Sequence, residues 1–155
     1  MRGERTTPVL EGIHAVAQQL GLRLHVADAR MEGELAPAFG AMRQQGSQAV
    51  FVGGDAYFWG LENPIAALAL NSRLPSSFAF ASSVEVGGLM SYGVDGLDSW
   101  RRLATYVDKV FKGAKPGDIP IEQPTKFELT VNRSTADALG LDIPQALLLQ
   151  AAKLF

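Results

Sequence analysis

Behind the apolar run Ala49-Val50-Phe51-Val52 the sequence places Gly53, Gly54 and Asp55, and then Ala56-Tyr57-Phe58-Trp59. Glycines let a ligand approach the main chain closely, a carboxylate accepts hydrogen bonds from an ammonium or hydroxyl group, and Tyr57, Phe58 or Trp59 can wall an apolar pocket. Asp55 is equally suited to capping the next helix, with the aromatic residues in a core. Two more polar groups follow apolar runs in the same way: Ser82, Ser83 and Glu85, and then Ser91, Tyr92 and Asp95. Hydroxyls there can donate to a carboxylate ligand and Tyr92 can stack on one, while Asp95 either contacts the ligand or caps a helix starting near residue 97.

Reaction chemistry finds less support. Gly53-Gly54-Asp55 has neither the spaced glycines of a dinucleotide fingerprint nor the Gly-Lys-Ser/Thr of a phosphate loop. No serine lies in Gly-x-Ser-x-Gly, and no nucleophile, base and orienting group can be assembled from the spacing, so the chain is expected not to be an enzyme. His14 and His25 are the two imidazoles; with no Cys and no clustered carboxylates, neither a metal site nor a cofactor is expected. The 14 Lys+Arg against 16 Asp+Glu leave a net charge of −2, which argues against a nucleic-acid partner. Arg101, Arg102, Lys109 and Lys112 read as the solvated face of a helix.

These residues need elements to position them, and 155 residues at 47% hydrophobic and 19% charged suffice for one ordinary globular domain. The charged opening Met1-Arg2-Gly3-Glu4-Arg5 has no apolar run behind it, so the chain as written shows no signal peptide, and no stretch is apolar enough to cross a membrane. From residue 6 the period is helical: Thr6 or Thr7 can cap, and Leu10, Ile13, Val16, Ala17 and Leu20 share a face. Residues 22–27 alternate like a strand, and residues 32–45 form a second helix with Leu35, Ala38, Phe39 and Met42 spaced for burial. Residues 49–52 look like a central parallel strand buried on both faces. A helix over 64–72, a strand over 74–80, a short helix over 82–86 and a strand over 88–92 continue the alternation. The spacing predicts an α/β fold with a mostly parallel sheet covered on both faces. After residue 93 come a long amphipathic helix over 97–112, an irregular turn-rich stretch over 113–120, a strand over 126–131, a capped helix over 134–139 and a terminal helix after Pro144. In open parallel sheets ligands bind beyond the carboxyl ends of the strands, where Asp55, Ser82 and Tyr92 fall.

The heptapeptide Gly87-Gly88-Leu89-Met90-Ser91-Tyr92-Gly93 is followed by Arg101-Arg102-Leu103-Ala104-Thr105-Tyr106-Val107-Asp108-Lys109 and by Lys112-Gly113-Ala114-Lys115-Pro116. Farther on stand Ile119-Pro120-Ile121-Glu122-Gln123-Pro124-Thr125-Lys126-Phe127-Glu128-Leu129, Asn132 and Ala138-Leu139-Gly140-Leu141-Asp142-Ile143-Pro144. This composite of about 70 residues strongly resembles the TrpX-like substrate-binding proteins of ABC transporters, of the type 1 periplasmic-binding class.

The resemblance implies two α/β sandwich lobes joined by three crossing segments and closing on a small ligand. Residues 6–92 and 116–155 would then make the C-terminal lobe, a three-layer sandwich, while residues 93–115 would hold a hinge crossing and one helix of the N-terminal lobe. It implies a periplasmic or extracytoplasmic full-length parent, ABC permease subunits as its partners, and a small organic ligand such as an amino acid. Asp55 and Ser82 would supply polar contacts, Tyr57 or Phe58 a wall, and Tyr92 with Asp95 a place at the hinge. Against that family the chain is expected to be N-terminally truncated, lacking the anchor, most of the N-terminal lobe and the strand that opens the C-terminal one. The helix over 97–112 would then expose Trp100, Leu103, Val107 and Phe111, whose full burial would contribute about 1.5–3 kcal/mol each. That exposure favours either a homo-oligomer through this helix or its repacking on its own domain. The alternative function is a stand-alone cytoplasmic sensor or interaction domain of the same fold.

Overall fold

The computed structural model describes residues 6–155, and the chain divides into two compact units, Met1–Ser47 and Gln48–Phe155. The opening residues 1–5 and the side chains of Thr6 and Thr7, to which capping was assigned, lie outside the described set.

In the first unit, helix α1 (Thr6–Gln19) ends at Gly21, with Leu22 N–H donating to the Ala17 carbonyl at 2.8 Å. Of its expected inner face Ala17 is buried, whereas Val16 and Leu20 stand open. The strand expected over 22–27 does not form: these residues run as irregular chain. Alternation provides two faces, but a strand exists only through a ladder, and among the described residues none pairs with this segment. A short 3-10 turn, Glu32–Glu34, leads into α2 (Leu35–Gln44), which carries Pro37 in its first turn and buries Leu35 and Phe39.

The second unit holds a five-stranded sheet of order β1-β2-β3-β4-β5. Strands β1 (Val50–Val52), β2 (Ser76–Phe78) and β3 (Met90–Val94) are parallel neighbours. Strand β4 (Phe127–Val131) runs antiparallel to β3, and β5 (Ala151–Leu154) parallel to β4. The sheet is therefore mostly parallel, as the alternation predicts. Between the strands lie α3 (Ala56–Trp59), α4 (Glu62–Asn71), α5 (Ser82–Glu85) and α6 (Gly96–Phe111), then α7 (Arg133–Leu139) and α8 (Gln145–Gln150).

Strand β1 departs from expectation. Val50 is buried but Phe51 is 58% exposed, because β1 is the edge strand of the sheet and the face carrying Phe51 is open there. Strand β5 was not foreseen after the terminal helix. It is fixed from outside its own sequence, by Phe155 N–H on the Val131 carbonyl at 3.0 Å and Arg133 N–H on the Phe155 carbonyl at 2.6 Å.

The core lies where Phe78, Leu74 and Val84 meet Ile65, Ala66 and Ala69 of α4 and Ala136 of α7, all buried. Asn132 locks it. Its side-chain oxygen caps α7 through Thr135 N–H at 2.9 Å, its amide donates to the Val84 carbonyl at 3.0 Å, and its main-chain N–H reaches the Leu89 carbonyl at 2.8 Å. Strands β2 and β3 approach so closely that a Cβ on Gly93 would overlap the Ala79 carbonyl oxygen, so position 93 admits no side chain without moving main chain.

Helix α6 is built otherwise. It buries no residue: Trp100 is 69% and Phe111 87% exposed, with Leu103 and Val107 also open. Of the two outcomes its apolar stripe allowed, repacking on its own domain does not occur. What holds α6 is polar. Arg102, steadied within the helix by Asp98 at 2.8 Å, reaches Glu122 at 3.3 Å and Thr125 at 3.0 Å, and the Tyr106 hydroxyl donates to the Pro120 carbonyl at 3.0 Å.

Candidate ligand-binding site

Because β1, β2 and β3 are parallel, their carboxyl ends open at one end of the sheet, and β4, antiparallel to β3, begins there. Asp55, Tyr57, Phe58, Ser82, Tyr92 and Asp95 all fall at this end.

Asp55 does what a cap does. Its Oδ1 accepts Tyr57 N–H at 2.8 Å and opens α3, leaving the residue exposed to solvent. Short as it is, α3 turns its aromatics to different tasks. Tyr57 and Phe58, half-buried, meet edge to face at 5.8 Å, whereas the exposed Trp59 stacks on Phe80 with centroids 5.6 Å apart and planes 19° apart. Gly54 lies beside this stack. A Cβ built there would come 3.1 Å from the Ala79 side chain and 3.7 Å from the Phe80 ring, so its lack of a side chain brings the loops after β1 and β2 together.

Ser82 and Ser83 are committed to a carboxylate, but a carboxylate of the protein. Both hydroxyls donate to Glu62 Oε1, at 2.6 and 2.9 Å, tying the first turn of α4 to α5. Each has thereby spent its single proton, and toward a ligand Ser82 is an acceptor rather than the donor that the sequence offered. Glu62 and Phe80 are the participants that sequence reasoning did not single out. The signal for Glu62 was its place as the first-turn acid of the helix behind the Gly53-Gly54-Asp55 loop.

At the end of β3 the geometry turns toward β4. Tyr92 is 63% exposed and stacks on Phe127 at 5.8 Å and 18°. Asp95, 5% exposed, caps α6 through Leu97 N–H at 2.9 Å and Asp98 N–H at 3.1 Å, while its other oxygen takes Lys126 Nζ at 2.6 Å. Asp95 N–H also donates to the Lys126 carbonyl at 3.0 Å, so outgoing and returning chain are clasped at one point. The Lys126 hydrogen bond, followed by those from the α6 amides, holds the Asp95 carboxyl down at about 2 against its ordinary 3.8, and the same contact raises the Lys126 ammonium above 10.5. Asp55, Tyr57 and Phe58 thus lie at the start of α3, and the Trp59–Phe80 stack brings the loop that leads to Ser82 alongside. Tyr92 and Asp95 stand at the same sheet end but are engaged by Phe127 and Lys126.

Among the described residues no three His, Cys, Asp or Glu come together as a metal site, and no helix is long and apolar enough to cross a membrane.

The sequence profile of the family described as ABC transporter substrate binding protein matches residues 3–155. No curated protein matches the chain. Among solved structures, the ABC domain in complex with L-Trp from Streptococcus pneumonia is 25% identical with a TM-score of 0.86. The alignment covers 97% of this chain and 50% of that one. A conserved domain protein from Vibrio cholerae shows the same coverages and TM-score at 24% identity. A substrate binding protein with adhesive properties from Clostridium difficile, in its ligand-free, open structure, has a TM-score of 0.71 at 15% identity, with 99% of this chain and 51% of that one covered. The chain spans about half the length of the solved relatives it matches.

Proposed function

The chain belongs to the family of ABC transporter substrate-binding proteins, and from that premise we propose that it is part of the solute-binding component of an ABC uptake transporter, one that captures a small organic ligand such as an amino acid in a cleft between lobes. In this reading residues 6–92 and 116–155 belong to one lobe and residues 93–115 carry a crossing and one helix of the other, with ABC permease subunits as the partners of the full-length parent outside the cytoplasm. The observation that supports the reading is that Asp55, Tyr57, Phe58 and Ser82 all follow the carboxyl ends of parallel strands, on two loops joined by the Trp59–Phe80 stack. A carboxylate and a hydroxyl acceptor beside aromatic faces suit a ligand with an ammonium group and an apolar side chain, and the L-Trp bound by the pneumococcal relative is of that chemistry.

Binding without chemistry requires complementarity and closure alone. One lobe contributes half the contacts and none of the closure, so ligand affinity of this chain is expected to be weak, in the millimolar range or beyond. Amide shift mapping with aromatic and branched amino acids tests this. The expected result is a small, saturable perturbation confined to the loops around Asp55 and Ser82. Perturbation confined to other regions sinks the reading, and micromolar affinity would show that one lobe suffices.

A further inference from the structure

We propose that Glu62 is the residue with which this chain selects its ligand, receiving a protonated primary amine on Oε2. This rests on the ligand reading above and narrows it: the end of the ligand that meets these loops is the cationic one.

Glu62 opens α4, half-buried, behind the Gly53-Gly54-Asp55 loop and the aromatic residues of α3. Its Oε1 takes two protons, from the Ser82 hydroxyl at 2.6 Å and from the Ser83 hydroxyl at 2.9 Å. Ser83 is 2% exposed, so the carboxylate is anchored from the protein side. Among the described residues Oε2 accepts no hydrogen bond, and Glu62 meets no lysine or arginine. A carboxylate has room for about four hydrogen bonds, and one already fixed by two donors loses little freedom when a third arrives. Asp55 is built for other work: it is exposed, and its Oδ1 caps α3.

The charge on these loops has one sign. From Gln44 to Ser72 and from Leu74 to Trp100 the sequence contains no Lys or Arg, while Asp55, Glu62 and Glu85 follow β1 and β2. Lys126, which β4 brings to this end of the sheet, is bound to Asp95 at 2.6 Å. The hydroxyl protons of Ser82 and Ser83 are spent on Glu62, so a ligand carboxylate here would meet like charge and no cationic donor. An ammonium finds a held acceptor, and the Trp59–Phe80 stack on the adjoining loops offers aromatic faces, which attract the same sign of charge. The ligand class that fits is a primary amine with an apolar or aromatic body, any acidic group it carries pointing away from these loops.

Titration of the 155-residue chain with phenethylamine, an amine without a carboxylate, and with hydrocinnamate, a carboxylate without an amine, tests this by NMR at matched ionic strength. Phenethylamine should shift the Glu62 carboxyl carbon and the Ser82 and Ser83 amides, rising toward saturation at roughly tens of millimolar, and hydrocinnamate should not. In Glu62→Gln the side-chain carbonyl still accepts both serine hydroxyls, so the urea midpoint should hold. The amine response should nevertheless weaken at least about fivefold, because the charge-assisted bond is gone. Glu85→Gln removes the same charge from an exposed position on α5 and should leave the response within about twofold. A response to hydrocinnamate in place of phenethylamine, or none to the amine, would overturn the role of Glu62 while the cleft reading stands. An amine response confined to other regions would overturn both. Equal losses in the two variants would show diffuse attraction instead of a site, and would also overturn it. If Glu62→Gln does not fold, the unaltered chain decides: a Glu62 carboxyl carbon that stays still while the amides move is not the acceptor.

Discussion

Two regions of the second unit both offer apolar helix faces and end in opposite states. Around Val84 and Asn132, side chains from α4, α5, α7 and the sheet interlock until Val84, Ala66 and Ala136 are buried and even the polar Ser83 and Thr135 leave water. On α6, with a longer and more regular apolar stripe, nothing is buried. The first region is held by packing and by short main-chain approaches, the second by a cap and three side-chain tethers. A helical period therefore specifies a face, and only the neighbouring elements decide whether that face has a cover.

The comparison can be broken where packing is tightest. Gly93→Ala should cost about 3 kcal/mol or more in urea unfolding, because the new Cβ cannot coexist with the Ala79 carbonyl and β2 must separate from β3. A cost near that of an ordinary surface change would mean that this sheet contact is soft. Intermediate effects belong to the clasp. In Asp95→Asn the carboxylate that Lys126 and the α6 amides favour is gone, so amide protection at Leu97 and Asp98 should fall while Val84 keeps its own. The folded carboxyl titrates at about 2 rather than 3.8, so its stabilisation is complete above pH 3.8 and is lost as pH falls toward 2. Lys126, raised above 10.5, contributes fully below 10.5 and loses its part as pH rises beyond that. Wild-type protection at Leu97 should thus be flat between these limits, and the Asn variant should lack the acid-side loss. The smallest effect is expected on the open face. There Trp100→Ala should change unfolding free energy by no more than about 0.5 kcal/mol, and a larger loss would mean that the stripe is packed within the chain.

Much of this was legible residue by residue. The apolar runs before Gly53, Phe80 and Gly93 located three parallel strands, the apolar stripe located α6 to within a residue at either end, and Asp55 and Asp95 were readable as caps because capping is local chemistry. Contacts between residues distant in the chain were not. Nothing near Ser82 announces Glu62, and nothing near Asp95 announces Lys126, since each partnership depends on how two loops meet. Strand formation failed in both directions for one reason. Residues 22–27 alternate but have no ladder, whereas Ala151-Ala152-Lys153-Leu154 has little β character and is a strand because β4 lies alongside it. The same rule exposes Phe51: sequence shows that a run is apolar, but not that it lies at an edge.

The pairing of Val94 with Phe127 carries a further meaning. The chain leaves the sheet and re-enters it in adjoining, oppositely directed strands, so β3 and β4 form a hairpin whose turn is an entire helix with its return strap. Such a turn is an insert. Its two ends are already within pairing distance, it contributes nothing to the buried centre, and a load applied to α6 reaches the sheet through one closely joined pair of strand ends. Helix α6 is in effect a handle joined to the sheet at one point, so that it can be redirected without rewriting the residues that fold the sheet.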